Sequence, residues 1–247
     1  MDTKPPTAAI LLIGDEILSG KVDDENARYL LRELRRGGVT VGRIEVVPDQ
    51  LDVIAESVRR LSSGFDWVFS SGGVGPTHDD VTLPAVAAAF GRPMARNAEL
   101  EGLMRRTWGE QLHPRDLRMA DLPVGARLEY GPRGPTTAWP VVVMNNVWIL
   151  PGVPKIFRKK FEAIHELFRG PEIHARAVYS FEPEGVIADA LDAVVADFPT
   201  VAIGSYPHLD ATDYKVKITL DGRDRRAVDD ATARLTERLG PAVVRTE

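Results

Sequence analysis

The sequence predicts an α/β protein built on a three-layer, doubly wound, mostly parallel sheet, followed by a smaller α+β unit. Three observations carry this. Short, almost wholly apolar runs alternate with amphipathic stretches of helical spacing; a glycine-rich turn follows the third run; and Gly170-Pro171 separates two differently patterned segments.

Residues 8–13 are apolar throughout, the pattern of a strand covered on both faces in a parallel sheet. A Gly14-Asp15-Glu16 turn ends it. Asp23 or Asp24 can cap the next helix, whose apolar positions Ala27, Leu30, Leu31 and Leu34 recur at helical spacing until Gly37-Gly38 stops it. Residues 39–47 form the second strand, Leu51, Ile54, Ala55, Val58 and Leu61 mark a helix, and residues 66–70 form the third strand. Residues 83–90 carry a helical pattern, as do residues 99–112. Short strands follow at 126–130, 140–144 and 147–150, the last two forming a hairpin across Asn145-Asn146. Residues 153–168 give a helix whose Lys155, Arg158, Lys159 and Lys160 read as a solvated basic face. With the boundary at Gly170-Pro171, residues 1–170 form the first domain and 171–247 the second. The second reads β-α-β-β-α, with strands at 175–181, 201–204 and 214–220 and helices at 184–198 and 225–239.

Composition narrows the function classes. At 247 residues, with 44% hydrophobic and 27% charged residues, the chain has the make-up of a soluble globular protein. Its formal charge of −5 disfavours broad binding to nucleic acid. The absence of cysteine excludes thiolate catalysis, thiolate zinc sites and iron–sulfur clusters, and leaves oxygen-ligated metals. The start of the chain lacks a signal-peptide pattern, and no apolar run approaches the roughly 20 residues that span a bilayer, so a cytoplasmic location without a membrane partner is the expectation.

The chemistry concentrates in Ser70-Ser71-Gly72-Gly73-Val74-Gly75-Pro76-Thr77-His78-Asp79-Asp80-Val81-Thr82, between the third strand and a helix. Glycines at 72, 73 and 75 remove Cβ atoms where the chain turns sharply, so successive N–H groups can converge on an anion. Asp79 and Asp80 would repel a bare phosphate; they fit beside the cradle if a hard divalent cation bridges them to it. In open parallel sheets the loops after successive strands gather at one end. That rule brings Gly14-Asp15-Glu16, Pro48-Asp49, the cradle and Leu150-Pro151-Gly152-Val153-Pro154 to a common rim. Asp80 is the first candidate for metal ligand or base and Asp49 the second; Asp15, Glu16 and Asp79 are further candidate metal ligands. Gly14, Ser71, Gly72, Gly73, Gly75, Pro76, Thr77, His78, Pro151 and Gly152 are the candidate phosphate-binding set. His78 reads equally as a donor or acid toward phosphate and as a structural hydrogen bond within the loop. Arg133, Gly134, Thr136 and Thr137 form a second loop able to approach a ligand, or a plain turn.

Residues 14–20, Asp24, Asn26, residues 71–82 and residues 150–154 together resemble the molybdopterin-binding-like domain of the CinA (competence/damage-inducible protein A) family and of eukaryotic FAD synthases. The likeness spans about residues 7–170. The remainder, with Gly204-Ser205-Tyr206-Pro207 and Tyr214-Lys215-Val216-Lys217, is similar to the KH-like domain that follows in those proteins. The resemblance implies hydrolysis of a nucleotide pyrophosphate, ADP-ribose or FAD, with Mg²⁺, Mn²⁺ or Co²⁺ as cofactor. It places Asp49 and Asp80 at functional aspartates, Gly72, Gly73, Gly75 and Thr77 in the ligand loop, and Asp15 and Glu16 in the opening loop. It also implies a homo-oligomer, dimer or trimer. The alternative is a protein that binds molybdopterin or adenylylates it. An RNA-binding module is disfavoured, because the KH-like segment offers no GXXG loop. Residues 131–138 depart from the Asn-Pro-x-Gly-Thr-Ala-Pro-Gly loop of the CinA pattern, and Met119 replaces a frequent Gln. Neither an amidohydrolase nor an adenylyltransferase domain follows, so neither deamidation nor FAD synthesis is expected.

Overall fold

The computed structural model describes residues 4–135, 139–208, 210 and 212–247. The chain divides into two compact units, residues 1–170 and 171–247.

In the first unit the elements run β1 (Thr7–Ile13), α1 (Asp15–Leu18), α2 (Asn26–Arg36), β2 (Thr40–Val47), α3 (Leu51–Gly64), β3 (Trp67–Ser71), α4 (Thr82–Ala89), β4 (Met94–Arg96) and α5 (Ala98–Trp108). They continue with β5 (Asp121–Pro123), β6 (Arg127–Glu129), β7 (Val141–Met144), β8 (Val147–Leu150) and α6 (Pro154–Ile164). Six strands form one sheet in the order β2-β1-β3-β8-β7-β6. The four from β2 to β8 are parallel, whereas β7 and β6 join antiparallel. The β7–β8 hairpin turns through Asn145, whose φ of 53° falls in the left-handed region that asparagine tolerates.

The apolar run in β1 follows from its central position. Ala9, Leu11 and Ile13 enter the layer built by α3, α4 and α5, while Ala8, Ile10 and Leu12 enter the layer built by α2 and α6. All six are at most 3% exposed, so period-2 alternation places an apolar side chain on each face. Burying each large aliphatic side chain contributes about 1.5–3 kcal/mol, which gives this strand a large share of the unit's stability. In the middle of α2, Leu31 keeps helical spacing yet is 37% exposed, outside the buried stripe of Ala27, Leu30 and Leu34. Asp24 caps α2 by accepting from the N–H groups of Asn26 and Ala27.

Helix α2, after β1, packs on one face of the sheet, and α4, after β3, packs on the other. The neighbouring strands β1 and β3 therefore diverge in connection, which is the crevice where doubly wound sheets bind ligands.

The solvated reading of the basic helix does not hold for Lys160. Its Nζ donates to the Pro140 carbonyl, and burial pushes its pKa down to about 8. Arg158 is likewise engaged, paired with Glu25 and lying 5.7 Å over the Tyr29 ring.

The second unit comprises β9 (His174–Ser180), α7 (Glu184–Asp197), β10 (Ala202–Pro207), β11 (Val216–Gly222), α8 (Arg225–Leu239) and β12 (Val243–Thr246). Its sheet has the order β10-β11-β9-β12, antiparallel throughout. Val178, Ile218 and Leu220 face Val194 of α7 and Val228 and Leu235 of α8. The fourth strand, too short to carry a periodic signal, completes the β-α-β-β-α-β arrangement of ferredoxin-like sandwiches. No helix among the described residues is long and apolar enough to cross a membrane.

Candidate functional site

Beyond the carboxyl ends of β1 and β3 the backbone approaches itself closely. Gly72 has φ 109°, and a Cβ there would overlap the Ile13 carbonyl oxygen. Its N–H donates to Leu150 at 3.2 Å, and its carbonyl accepts the Thr82 hydroxyl at 2.8 Å. Gly73, at φ 63°, accepts the Thr82 N–H at 3.0 Å. Glycine is required at both positions by conformation and by space. Gly152 stands against Gly72, its would-be Cβ 3.4 Å from the Gly72 Cα. Buried Asn26 secures the junction: its amide nitrogen donates to Ser71 Oγ at 2.9 Å and to the Gly152 carbonyl at 2.6 Å. Ser71 lies 3.5 Å from the Pro151 carbonyl, so Ser71, Pro151 and Gly152 form the inner wall.

These bonds decide which cradle amides remain. The Gly72 N–H is committed to Leu150 and the Thr77 N–H to Asp80, so neither is available to an anion. Pro76 has no N–H to offer. Among the described residues the N–H groups of Gly73, Val74 and Gly75 have no protein partner. All three residues line a cleft of about 400 Å³, with Asp80, Arg96, Arg118 and Asp121 as its charged groups.

The carboxylates divide between two places. Asp80 lines the cleft and turns back into its own loop, accepting from the Thr77 N–H at 2.8 Å and from the Thr77 hydroxyl. Asp49 is outside the cleft lining and accepts the Asp15 N–H at 2.9 Å. Burial raises the Asp49 carboxyl above its ordinary 3.8, the charges of Glu16, Asp15 and Asp79 add to the rise, and the Asp15 N–H opposes it. Asp79 is exposed and held below the usual carboxylate range, chiefly by the nearby Thr77 hydroxyl. Glu16 folds over Gly14, whose buried N–H donates to Val47 at 3.1 Å.

The expected metal set of Asp15, Glu16, Asp79 and Asp80 is not gathered into a cage. Among the described residues no group of three or more His, Asp or Glu is arranged to hold a metal ion. The reason is local: the Thr77 hydrogen bonds hold Asp80 back, and Asp15 and Glu16 belong to the other strand's loop. A donor set of one or two carboxylates still suits Mg²⁺, which takes its remaining oxygens from water and substrate phosphate. The His78 side chain is 97% exposed, with Nδ1 3.8 Å from the Asp79 carboxylate in the same loop. Arg133 and Gly134 do not line the cleft, and Thr136 and Thr137 lie outside the described residues.

Sequence reasoning missed Arg96, Asp121 and Arg118. Arg96 and Asp121 come from the β4–β5 ribbon, and Arg118 from a 3-10 turn at Asp116–Ala120, segments too short to show periodicity. Arg118 Nη1 donates to the Thr77 carbonyl at 3.3 Å.

Residues 9–170 match the family model described as a probable molybdopterin binding domain, and residues 172–247 match that of the FAD synthase middle domain. A protein of Archaeoglobus fulgidus is 36% identical over 231 residues, covering 93% of this chain and 96% of its own length. A probable FAD synthase of Caenorhabditis elegans is 32% identical over 263 residues, covering 96% of this chain, which spans 51% of that enzyme. The crystal structure of the protein CinA from Thermoplasma acidophilum aligns with a TM-score of 0.58 at 32% identity, over 66% of this chain and 99% of that one.

Proposed function

The chain belongs to the molybdopterin-binding-domain family, and from that premise we propose that it hydrolyses the diphosphate link of a nucleotide such as ADP-ribose or FAD. One observation carries the reading: three consecutive backbone N–H groups, at Gly73, Val74 and Gly75, stand without protein partners on the wall of a cleft that also holds Asp80. Such a row of amides recognises phosphate oxygens without a side chain. The cleft's 400 Å³ suits a small ligand rather than a macromolecule.

Water would attack one phosphorus, the bridging P–O bond would break, and AMP would leave with the second phosphate on the other fragment. The amides of residues 73–75 would hold the phosphate and stabilise charge that grows on its oxygens. Asp80, released from Thr77, and exposed Asp79 are the groups that would hold a divalent cation beside the substrate. That cation, when bound, supplies Lewis-acid neutralisation of the diphosphate. The half-buried carboxylate of Asp49 keeps the β1 loop in place through the Asp15 N–H.

The test is a panel of ADP-ribose, FAD and NAD with Mg²⁺, Mn²⁺ and Co²⁺, repeated with Asp80→Asn. AMP release from at least one diphosphate, reduced by a factor of about 100 or more in the variant, is the expected result. No cleavage with any metal, together with tight molybdopterin binding, would replace this reading with that of a pterin-binding or adenylylating protein.

A further inference from the structure

We propose that Arg118 is the diphosphate-binding cation of this cleft, a role that rests on the nucleotide-diphosphate reading above. Four charged side chains line the cleft wall: Asp80, Arg96, Arg118 and Asp121. Arg96 and Asp121 neutralise each other through contacts of 2.6 and 3.3 Å, and Arg96 also reaches Glu101 at 3.3 Å. Asp80 is occupied by the Thr77 N–H and hydroxyl. Arg118 differs from all three. Among the described residues no carboxylate pairs with its guanidinium, whose one hydrogen bond runs from Nη1 to the Thr77 carbonyl.

That bond explains how the side chain is held. A guanidinium carries five donors in a rigid fork, so one can anchor to the cradle backbone while others remain for phosphate oxygens. The anchor is Thr77, two residues past Gly75, on the same loop as the three unpartnered N–H groups. Amides on the loop and a guanidinium tethered to it can grip adjacent phosphates of one diphosphate, which a single phosphate would not exploit. Arg118 thereby becomes the residue that selects diphosphate over monophosphate.

Calorimetric titration of inorganic pyrophosphate and of inorganic phosphate into the full chain, with and without Mg²⁺, tests the assignment. Arg118→Ala is expected to weaken pyrophosphate binding about tenfold or more, as loss of a charge-assisted contact does, while changing phosphate binding less. Arg118→Lys keeps the charge without the fork and should fall between the two. Arg115→Ala, on the neighbouring turn and away from the cleft lining, serves as the unchanged control, and circular dichroism checks that each variant is folded. Equal pyrophosphate affinity in wild type and Arg118→Ala, or no pyrophosphate binding by the wild type, overturns the proposal. Binding that depends on Arg118 while no diphosphate is cleaved overturns the hydrolase reading instead and leaves this one standing.

Discussion

The side-chain amide of Asn26 donates to the Gly152 carbonyl at 2.6 Å, joining residues 126 positions apart and closing the inner wall of the cradle. The same nitrogen reaches Ser71, while the Asn26 Oδ1 is buried without a partner among the described residues.

Replacing Asn26 with Ala removes both donors and leaves the Gly152 carbonyl unpaired. The expected loss is about 1–3 kcal/mol. Asn26→Asp should cost more, because a buried carboxylate would face the carbonyl it replaces a donor to. Urea unfolding, read as a lowered midpoint at constant slope, measures both.

Gly72 and Gly75 should respond differently to Ala. At Gly72 the new Cβ meets the Ile13 backbone at φ 109°, and neither can yield, so at least about 3 kcal/mol of destabilisation is expected. At Gly75 the Cβ would lie 2.6 Å from the Asp80 carboxylate, the movable end of a side chain. Gly75→Ala should therefore fold near normally and lose turnover, because Asp80 is displaced. Thermal melts beside AMP-release rates separate the two.

Asp49 makes stability fall as pH rises. Its folded pKa is raised, so the folded state holds the proton more tightly than the unfolded chain. Below the ordinary value of 3.8 both forms are protonated and nothing is lost; as pH climbs through the folded value, stability drops and stays lower at neutrality. Asn at position 49 keeps an oxygen for the Asp15 N–H and carries no charge. Asp49→Asn should equal or exceed the wild type in stability at neutral pH, with the gap closing on acidification; urea midpoints across the acid range check the sign.

Lys160 acts in the alkaline range. Its pKa falls from 10.5 to about 8, so between those values the unfolded chain binds more protons and stability rises with pH. Lys160→Met should flatten that rise while leaving the slope below pH 8 unchanged. Chemical denaturation in steps from neutral pH to the upper value measures it.

The parts of the fold legible in the sequence are those with a repeating local cause. A strand buried on both faces needs an apolar side chain at each position, so residues 8–13 announce β1; the stripe of Ala27, Leu30 and Leu34 announces α2. Strands β4, β5 and β12 span three, three and four residues, too few for a period to emerge. The cradle was legible because glycines at 72 and 73 are demanded by backbone geometry. Its chemistry was only partly so. Nothing adjacent to Asp80 in the chain indicates that Arg118 lies across the cleft, and nothing beside Lys160 indicates that the Pro140 carbonyl covers it.

The sequence by itself determined the alternation of strands and helices, the break at Gly170-Pro171 and the position of the glycine-rich turn after β3, because side-chain periodicity and Cβ sterics act over a few residues. Only the tertiary structure decided which charges meet: Asp49 with the Asp15 amide, Asp80 with Thr77, Arg96 with Asp121, and Arg118 across 41 residues with the Thr77 carbonyl. Electrostatic partners are set by distance in space, and that distance exists only after the sheet has brought its loops to one end.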